Sequence, residues 1–267
     1  MKKLFALIEK ESAKFAQLPF FKFLGNKSID VIQRLSFAPC FALFVMGYGD
    51  LNKFVCLEQP TVNPIPDVVN NQIREEENHG IWVLKNLEDL NFNLFLNITD
   101  SLKINFSDQT GIFRQIIYEL YRRTFQVNPI YKLVAIESIE SISNIFLSIT
   151  APITQKLKFL TNREYTYFRN PHLLAENDHN VHSHQRKEFI ASMHLAEDIC
   201  KQAGELVIEE EFRSGAGAGR KLRSESISGG FRPATFLLTT KFSIWWECKN
   251  AAYSCATRTE FRINSDS

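Results

Sequence analysis

The sequence lacks an excess of charge of either sign, and it lacks a long uninterrupted run of apolar residues. Its 267 residues include 31 Lys and Arg against 30 Asp and Glu, which leaves a net charge of +1. This balance gives no basis for electrostatic binding to nucleic acid or to anionic lipid. The best candidate for a membrane span, residues 35–48, is shorter than the roughly 20 residues that a spanning helix needs. We therefore expect neither nucleic acid nor a membrane as a partner.

The cysteines lack the spacing of a disulfide framework or of a zinc ribbon. There are five, an odd number, without any CxxC pair, and they are Cys40, Cys56, Cys200, Cys248 and Cys255. The apolar stretch between Lys3 and Glu9 is also too short for the core of a secretory signal. These features indicate reduced thiols and predict a cytoplasmic protein.

Strand-like alternation is nearly absent before residue 213, whereas apolar residues recur at helical spacing. The pattern predicts an all-α bundle of seven or eight helices over residues 1–212. The predicted helical stretches are 3–24 with a break at Leu18-Pro19, 29–46 with a break near Pro39, 69–90, 109–124, 130–147, 151–160, 162–184 and 186–212, and residues 47–67 are predicted to be a connection. The 23 Phe residues suggest a wide aromatic interior. Residues 213–267 begin with a Gly, Ala, Ser and Arg run and are predicted to form a low-complexity tail of uncertain structure.

The segment HLLAENDH places His172, Glu176 and His179 at positions i, i+4 and i+7. On a helix this spacing puts all three side chains on one face in adjacent turns. Two imidazoles and one carboxylate on one stripe are suited to iron, manganese or zinc. The alternative is a solvated polar face, which this segment alone does not exclude.

Two further clusters contain carboxylates within helical sequence. Glu75 and Glu76 precede His79 by four and three residues, which is the spacing that places a carboxylate and an imidazole together on one helix of four-helix di-iron proteins. Glu137 and Glu140 lie within the apolar segment IESIESISNIFL, where a buried carboxylate needs a partner or a metal. We favour Glu140, because apolar residues flank it closely. Solvated acidic faces are the alternative for both clusters.

The three clusters together offer imidazole and carboxylate ligands, a mixture suited to a pair of iron ions and poorly suited to structural zinc. A zinc hydrolase using the same residues is less favoured, because neither an HExxH motif nor a Ser/His/Asp pattern accompanies them.

The ordered set of segments resembles that of the haem-oxygenase-like di-iron oxidases, a branch of the superfamily with thiaminase-II-like and pyrroloquinoline-quinone-synthase-like proteins. The resemblance covers roughly residues 28–212 and is based on RLSFAPCFALFVMGYGDL, REEENHGIWVLKNLEDL, AIESIESISNIF and HLLAENDH. It implies a haem-oxygenase-like helical domain over residues 1–212. Haem oxygenase activity itself is not expected, because no histidine precedes His79 to serve as an axial haem ligand.

The resemblance also implies a set of metal ligands and an activity. The ligands would be His79 with Glu76 or Glu75, then Glu140, and finally His172, Glu176 and His179. The implied cofactor is Fe(II), two ions per site, with manganese as the other option. The implied enzyme is an oxidoreductase that uses O₂ on a small organic substrate, and a homodimer is left open. The alternative is a metal-independent helical protein of the same fold that binds a small molecule or a partner.

Overall fold

A computed structural model describes residues 1–59, 63–92, 97–169, 188–205 and 207. Helices account for most of these residues, and within these ranges there is no strand, so the predicted all-α class is confirmed. The helices are α1 (Lys2–Phe15), α2 (Pro19–Gly25), α3 (Val31–Arg34), α4 (Ala38–Leu51), α5 (Pro64–Glu76), α6 (His79–Asp89), α7 (Ile98–Asn105), α8 (Asp108–Thr124), α9 (Pro129–Thr161) and α10 (Glu197–Glu205), with a π-helical turn over Asn52–Cys56 and a 3-10 turn over Tyr167–Arg169.

The long helix α9 is the centre of the fold. It packs against α1, α2, α3, α5, α8 and the 3-10 turn, while α4 packs against α6 and α8. Sixteen of its residues are buried, so it is covered on more than one side. Because the stretches 130–147 and 151–160 belong to this one helix, the prediction of two separate helices is wrong. Pro152 is accommodated because Ser148, whose carbonyl loses its helical partner to the proline, is exposed and open to water.

On length and composition alone, α9 would also qualify to cross a membrane. However, 61% of its most apolar window is buried inside the protein. The central helix of a soluble protein gives the same result, so this single helix is weak support for membrane insertion.

Phenylalanine rings fill much of the interior, as the composition suggested. The ring centroids of Phe20 and Phe37 are 5.1 Å apart, and those of Phe37 and Phe146 are 5.6 Å apart. Phe41 lies 4.8 Å from Phe146. These edge-on and tilted contacts join α2, α4 and α9, and they favour one arrangement of rings.

Several predicted boundaries are wrong. Residues 69–90 form two helices, because Glu77 and Asn78 end α5 with a turn. Part of the predicted connection 47–67 is helical, since α4 continues to Leu51 and the π-helical turn follows it. Helix α7 was not predicted at all.

The two predicted helices after α9 are also interrupted. Asn162 takes the left-handed conformation, with φ of 54°, and ends α9. Residues 163–166 are therefore not helical. Farther along, residues 188–192 are helical and residues 193–196 separate them from α10. The proposed tail, residues 213–267, lies outside the described residues.

Candidate functional site

A pocket opens where α4, α5, α6, α9 and the 3-10 turn meet. The cavity inside it has a volume of about 20 Å³, which is room for about one water molecule or one ion. Asn144 is exposed and marks the mouth of the pocket. The lining residues are Phe44, Val45, Tyr48, Glu76, His79, Ile139, Glu140, Ser143, Asn144, Leu147 and Tyr167. Three of the residues predicted from sequence as metal ligands, Glu76, His79 and Glu140, are thus brought together from three helices.

Glu76 and His79 are in direct contact across the turn between α5 and α6. Glu76 Oε2 lies 2.5 Å from His79 Nδ1, and both side chains are largely buried. The contact predicted from their i, i+3 spacing survives the helix break, because Glu77 and Asn78 both keep helical backbone angles. Burial lowers the pKa of His79 below its usual value, although the Glu140 carboxyl opposes this effect. The imidazole is therefore neutral at neutral pH, which is the form that binds metals.

Glu76 also meets the carboxyl group of Glu140. Burial raises the pKa of Glu76 to about 7, a hydrogen bond with Glu140 opposes this rise, and the charge of Glu75 adds to it. An ionised carboxylate only accepts hydrogen bonds. A hydrogen bond between two carboxyl groups therefore requires that one of them carries a proton, and the raised pKa of Glu76 makes this possible up to about pH 7.

The other glutamates of the two clusters occupy different surroundings. Glu75 is exposed and does not line the pocket, so Glu76 is the glutamate of this pair that reaches it. Glu137 is buried, and its Oε1 accepts a hydrogen bond of 2.6 Å from Gln72 Nε2. Glu140, which was favoured over Glu137, is the one that lines the pocket.

Two tyrosines complete the wall around the carboxyl groups. The Tyr167 ring stands edge-on to His79, with centroids 5.7 Å apart at 89°. Tyr48 is 5% exposed. Burial, together with the charges of Glu76 and Glu140, raises the pKa of both tyrosines well above the usual value. Both hydroxyls therefore stay protonated and remain available as hydrogen-bond donors.

A buried side chain from α6 holds the segment that carries Tyr167. Asn86 is fully buried, and its Oδ1 accepts hydrogen bonds from Tyr167 N at 2.9 Å and Phe168 N at 3.4 Å. From α9, Thr150 Oγ1 and Thr154 Oγ1 contact the Phe168 carbonyl at 3.3 and 3.5 Å, although each hydroxyl is slightly closer to a carbonyl of its own helix. The backbone next to the pocket is thus fixed by side chains from the two helices that carry His79 and Glu140.

The remaining predicted ligands, His172, Glu176 and His179, lie outside the described residues. Within the described part of the chain, no group of three or more His, Cys, Asp or Glu side chains is arranged so that it could hold a metal ion. Glu76, His79 and Glu140 therefore form a partial donor set. Their chemistry fits a divalent cation, since they offer two partly buried carboxyl groups and one neutral imidazole.

Sequence reasoning did not identify Tyr48, Asn86 or Tyr167 as parts of the site. A usable signal existed for Asn86, which falls on the same stripe as the buried Val83 and Leu90. For the tyrosines no local signal distinguishes them from ordinary core residues.

No protein-family model matches the chain, and no curated protein matches it.

Proposed function

We propose that this protein is a non-haem di-iron oxidoreductase that uses O₂ to oxidise a small organic substrate in the cytoplasm. The observation that supports it most is the convergence of Glu76, His79 and Glu140 on one pocket. Glu76 and Glu140 lie 64 positions apart in the sequence, yet both line this pocket together with His79. The haem-oxygenase-like relationship stays part of this proposal.

The protonation states of the three residues suit an exchange of a proton for a cation. The proton that Glu76 holds up to about pH 7 keeps it uncharged beside Glu140, where two ionised carboxyl groups would repel each other. A divalent ion would replace this proton and bind both carboxylates. His79 is already neutral, so it needs no deprotonation to become a ligand.

The chain also leads directly from the pocket to the proposed second half of the ligand set. Tyr167 lines the pocket, and His172 follows five residues later. Five residues span at most about 17 Å when fully extended. His172, and with it Glu176 and His179, would thus begin within reach of Glu76, His79 and Glu140.

The surrounding residues define what this site would offer a substrate. Iron would supply the activation of O₂ that protein side chains alone do not provide. The aliphatic and aromatic wall formed by Phe44, Val45 and Leu147 would exclude water from one side of the pocket. Ser143 and Asn144, near the mouth, offer hydrogen bonds that would orient a polar end of the substrate.

The experiment begins with metal-free protein under anaerobic conditions, to which Fe(II) is added before O₂ is admitted. We expect about two bound ions per chain and a higher melting temperature, because a ligand at a hundred times its Kd stabilises the folded state by about 2.7 kcal/mol. Admission of O₂ is expected to produce a transient absorption band.

Glu76→Gln and Glu75→Gln form a matched pair for this experiment. They make the same chemical change at adjacent positions, one in the pocket and one on the surface. We expect the Glu76 variant to bind Fe(II) at least about tenfold more weakly and the Glu75 variant to bind as the wild type does. If the wild type binds no iron and its melting temperature is unchanged by Fe(II) and Mn(II), the metal-independent binding protein becomes the better interpretation.

A further inference from the structure

Tyr48 is a buried residue that lines the pocket. The side chain is 5% exposed, and its Oη is buried without a hydrogen bond of ordinary geometry to any described residue, although the Asn52 side chain lies near it. Buried hydroxyls nearly always have a partner, so each exception requires an explanation. Here the hydroxyl lines the same pocket as the carboxyl groups.

The position of Tyr48 is well determined by its neighbours. Its ring stacks on Phe44 one turn earlier in α4, with centroids 5.8 Å apart and an interplanar angle of 8°. Gly47 beside it allows α4 to approach α8 so closely that an added Cβ would lie 3.0 Å from Ile117 Cγ1. The hydroxyl therefore projects from a tightly packed helix, and the fold holds it close enough to Glu76 and Glu140 for their charges to affect it.

We propose that Tyr48 is a positioning residue of the proposed cation site, and that its hydroxyl donates a hydrogen bond to the Glu76–Glu140 carboxylates in the cation-bound protein. Carboxylates that hold a cation keep lone pairs that face away from the ion, and these lone pairs need a hydrogen-bond donor. The Tyr48 hydroxyl lines the same pocket and would supply it. Such donors orient the ligands, and their loss weakens metal binding about 10- to 100-fold.

This inference rests on the proposed function, and Tyr48→Phe tests it because the change removes only the hydroxyl. The matched control is Tyr165→Phe, which removes a hydroxyl that is 3.1 Å from Thr161 Oγ1 and lies outside the pocket. Mn(II) affinity of the full chain is measured by calorimetry, and stability of the metal-free protein by urea denaturation. We expect Tyr48→Phe to keep the metal-free stability and to bind Mn(II) at least about tenfold more weakly. Tyr165→Phe is expected to keep wild-type affinity.

Two results would overturn the role of Tyr48. The first is Tyr48→Phe binding Mn(II) as tightly as the wild type, which would mean that the hydroxyl does not act on the loaded site. The second is a visible absorption band in the ferric protein that is lost in Tyr48→Phe, since this would make the oxygen a metal ligand and not a donor. If the wild type itself binds neither Mn(II) nor Fe(II), the proposed function fails, and the role of Tyr48 fails with it.

Discussion

The raised pKa of Glu76 predicts that the metal-free protein becomes less stable as the pH rises. Burial raises this pKa to about 7 from 4.5, so the folded state holds the proton more tightly than the unfolded chain does. The stabilisation is fully present below about pH 4.5 and is lost progressively until the pH exceeds about 7. At 1.36 kcal/mol for each unit of pKa, the loss amounts to about 3 kcal/mol.

Glu76→Gln isolates this contribution, because an amide has similar size and does not titrate. Urea denaturation of both proteins between pH 4.5 and 8, in the presence of a chelator, gives the difference in free energy of unfolding at each pH. We expect the wild type to lose about 3 kcal/mol relative to the variant across this range, with most of the change between pH 5 and 7. Titrating groups away from the pocket are common to both proteins and cancel, whereas His79 and Glu140 interact directly with Glu76, so the measured difference includes their response to the change.

Glu75→Gln is the control, since it removes a carboxylate from the adjacent, exposed position. We expect the stability of this variant to change with pH nearly as that of the wild type does, because the buried carboxyl group of Glu76 is still present and burial is the largest cause of its raised pKa. A constant difference between the wild type and Glu76→Gln over the whole pH range would refute the reasoning. It would mean that Glu76 ionises in the folded protein as readily as in the unfolded chain.

Two further predictions concern the packing around the pocket. Asn86→Ala removes the acceptor of two buried backbone N–H groups, and we expect the free energy of unfolding in urea denaturation to fall by about 2–4 kcal/mol. A fall below about 0.5 kcal/mol would mean that these two hydrogen bonds do not hold the segment of Tyr167 and Phe168 in place. Gly47→Val places methyl groups against Ile117 and is expected to lower stability by about 1–3 kcal/mol. Gly49→Ala, where an added Cβ meets nothing within 4 Å, is expected to gain about 0.5–1 kcal/mol, and equal effects at both glycines would refute the close approach.

The contact between Glu76 and His79 illustrates what local sequence spacing can predict. Residues three apart are neighbours on any helical backbone, so the contact was predictable even though the helix boundary was placed wrongly. The break itself follows from Asn78 and Gly80, two poor helix formers, but propensity alone did not show whether the chain would turn there.

The two glutamates on α9 show a case in which helical periodicity does not separate a structural residue from a residue of the site. Glu140 could be favoured from its apolar flanks, and it lines the pocket. Glu137, however, is the more deeply buried of the two, and it is bonded to Gln72 on α5. On a helix that is covered on several sides, no exposed stripe remains to separate a structural carboxyl group from one at a site. That distinction depends on which neighbouring helix faces each residue, and this is a long-range property.

The pocket and the segment that precedes His172 share the same two supports. Helix α6 begins with His79, and Asn86 follows about two turns later on the same helix. Helix α9 carries Glu140 and, farther along, Thr150 and Thr154. Any displacement of these helices would therefore move the donor residues and the backbone at Phe168 together. A metal site divided between the described pocket and residues 172–179 requires that its two parts keep a fixed separation. The hydrogen bonds of Asn86 and the contacts of the two threonines provide such a constraint, since they hold residues 167 and 168 against the helices that carry His79 and Glu140.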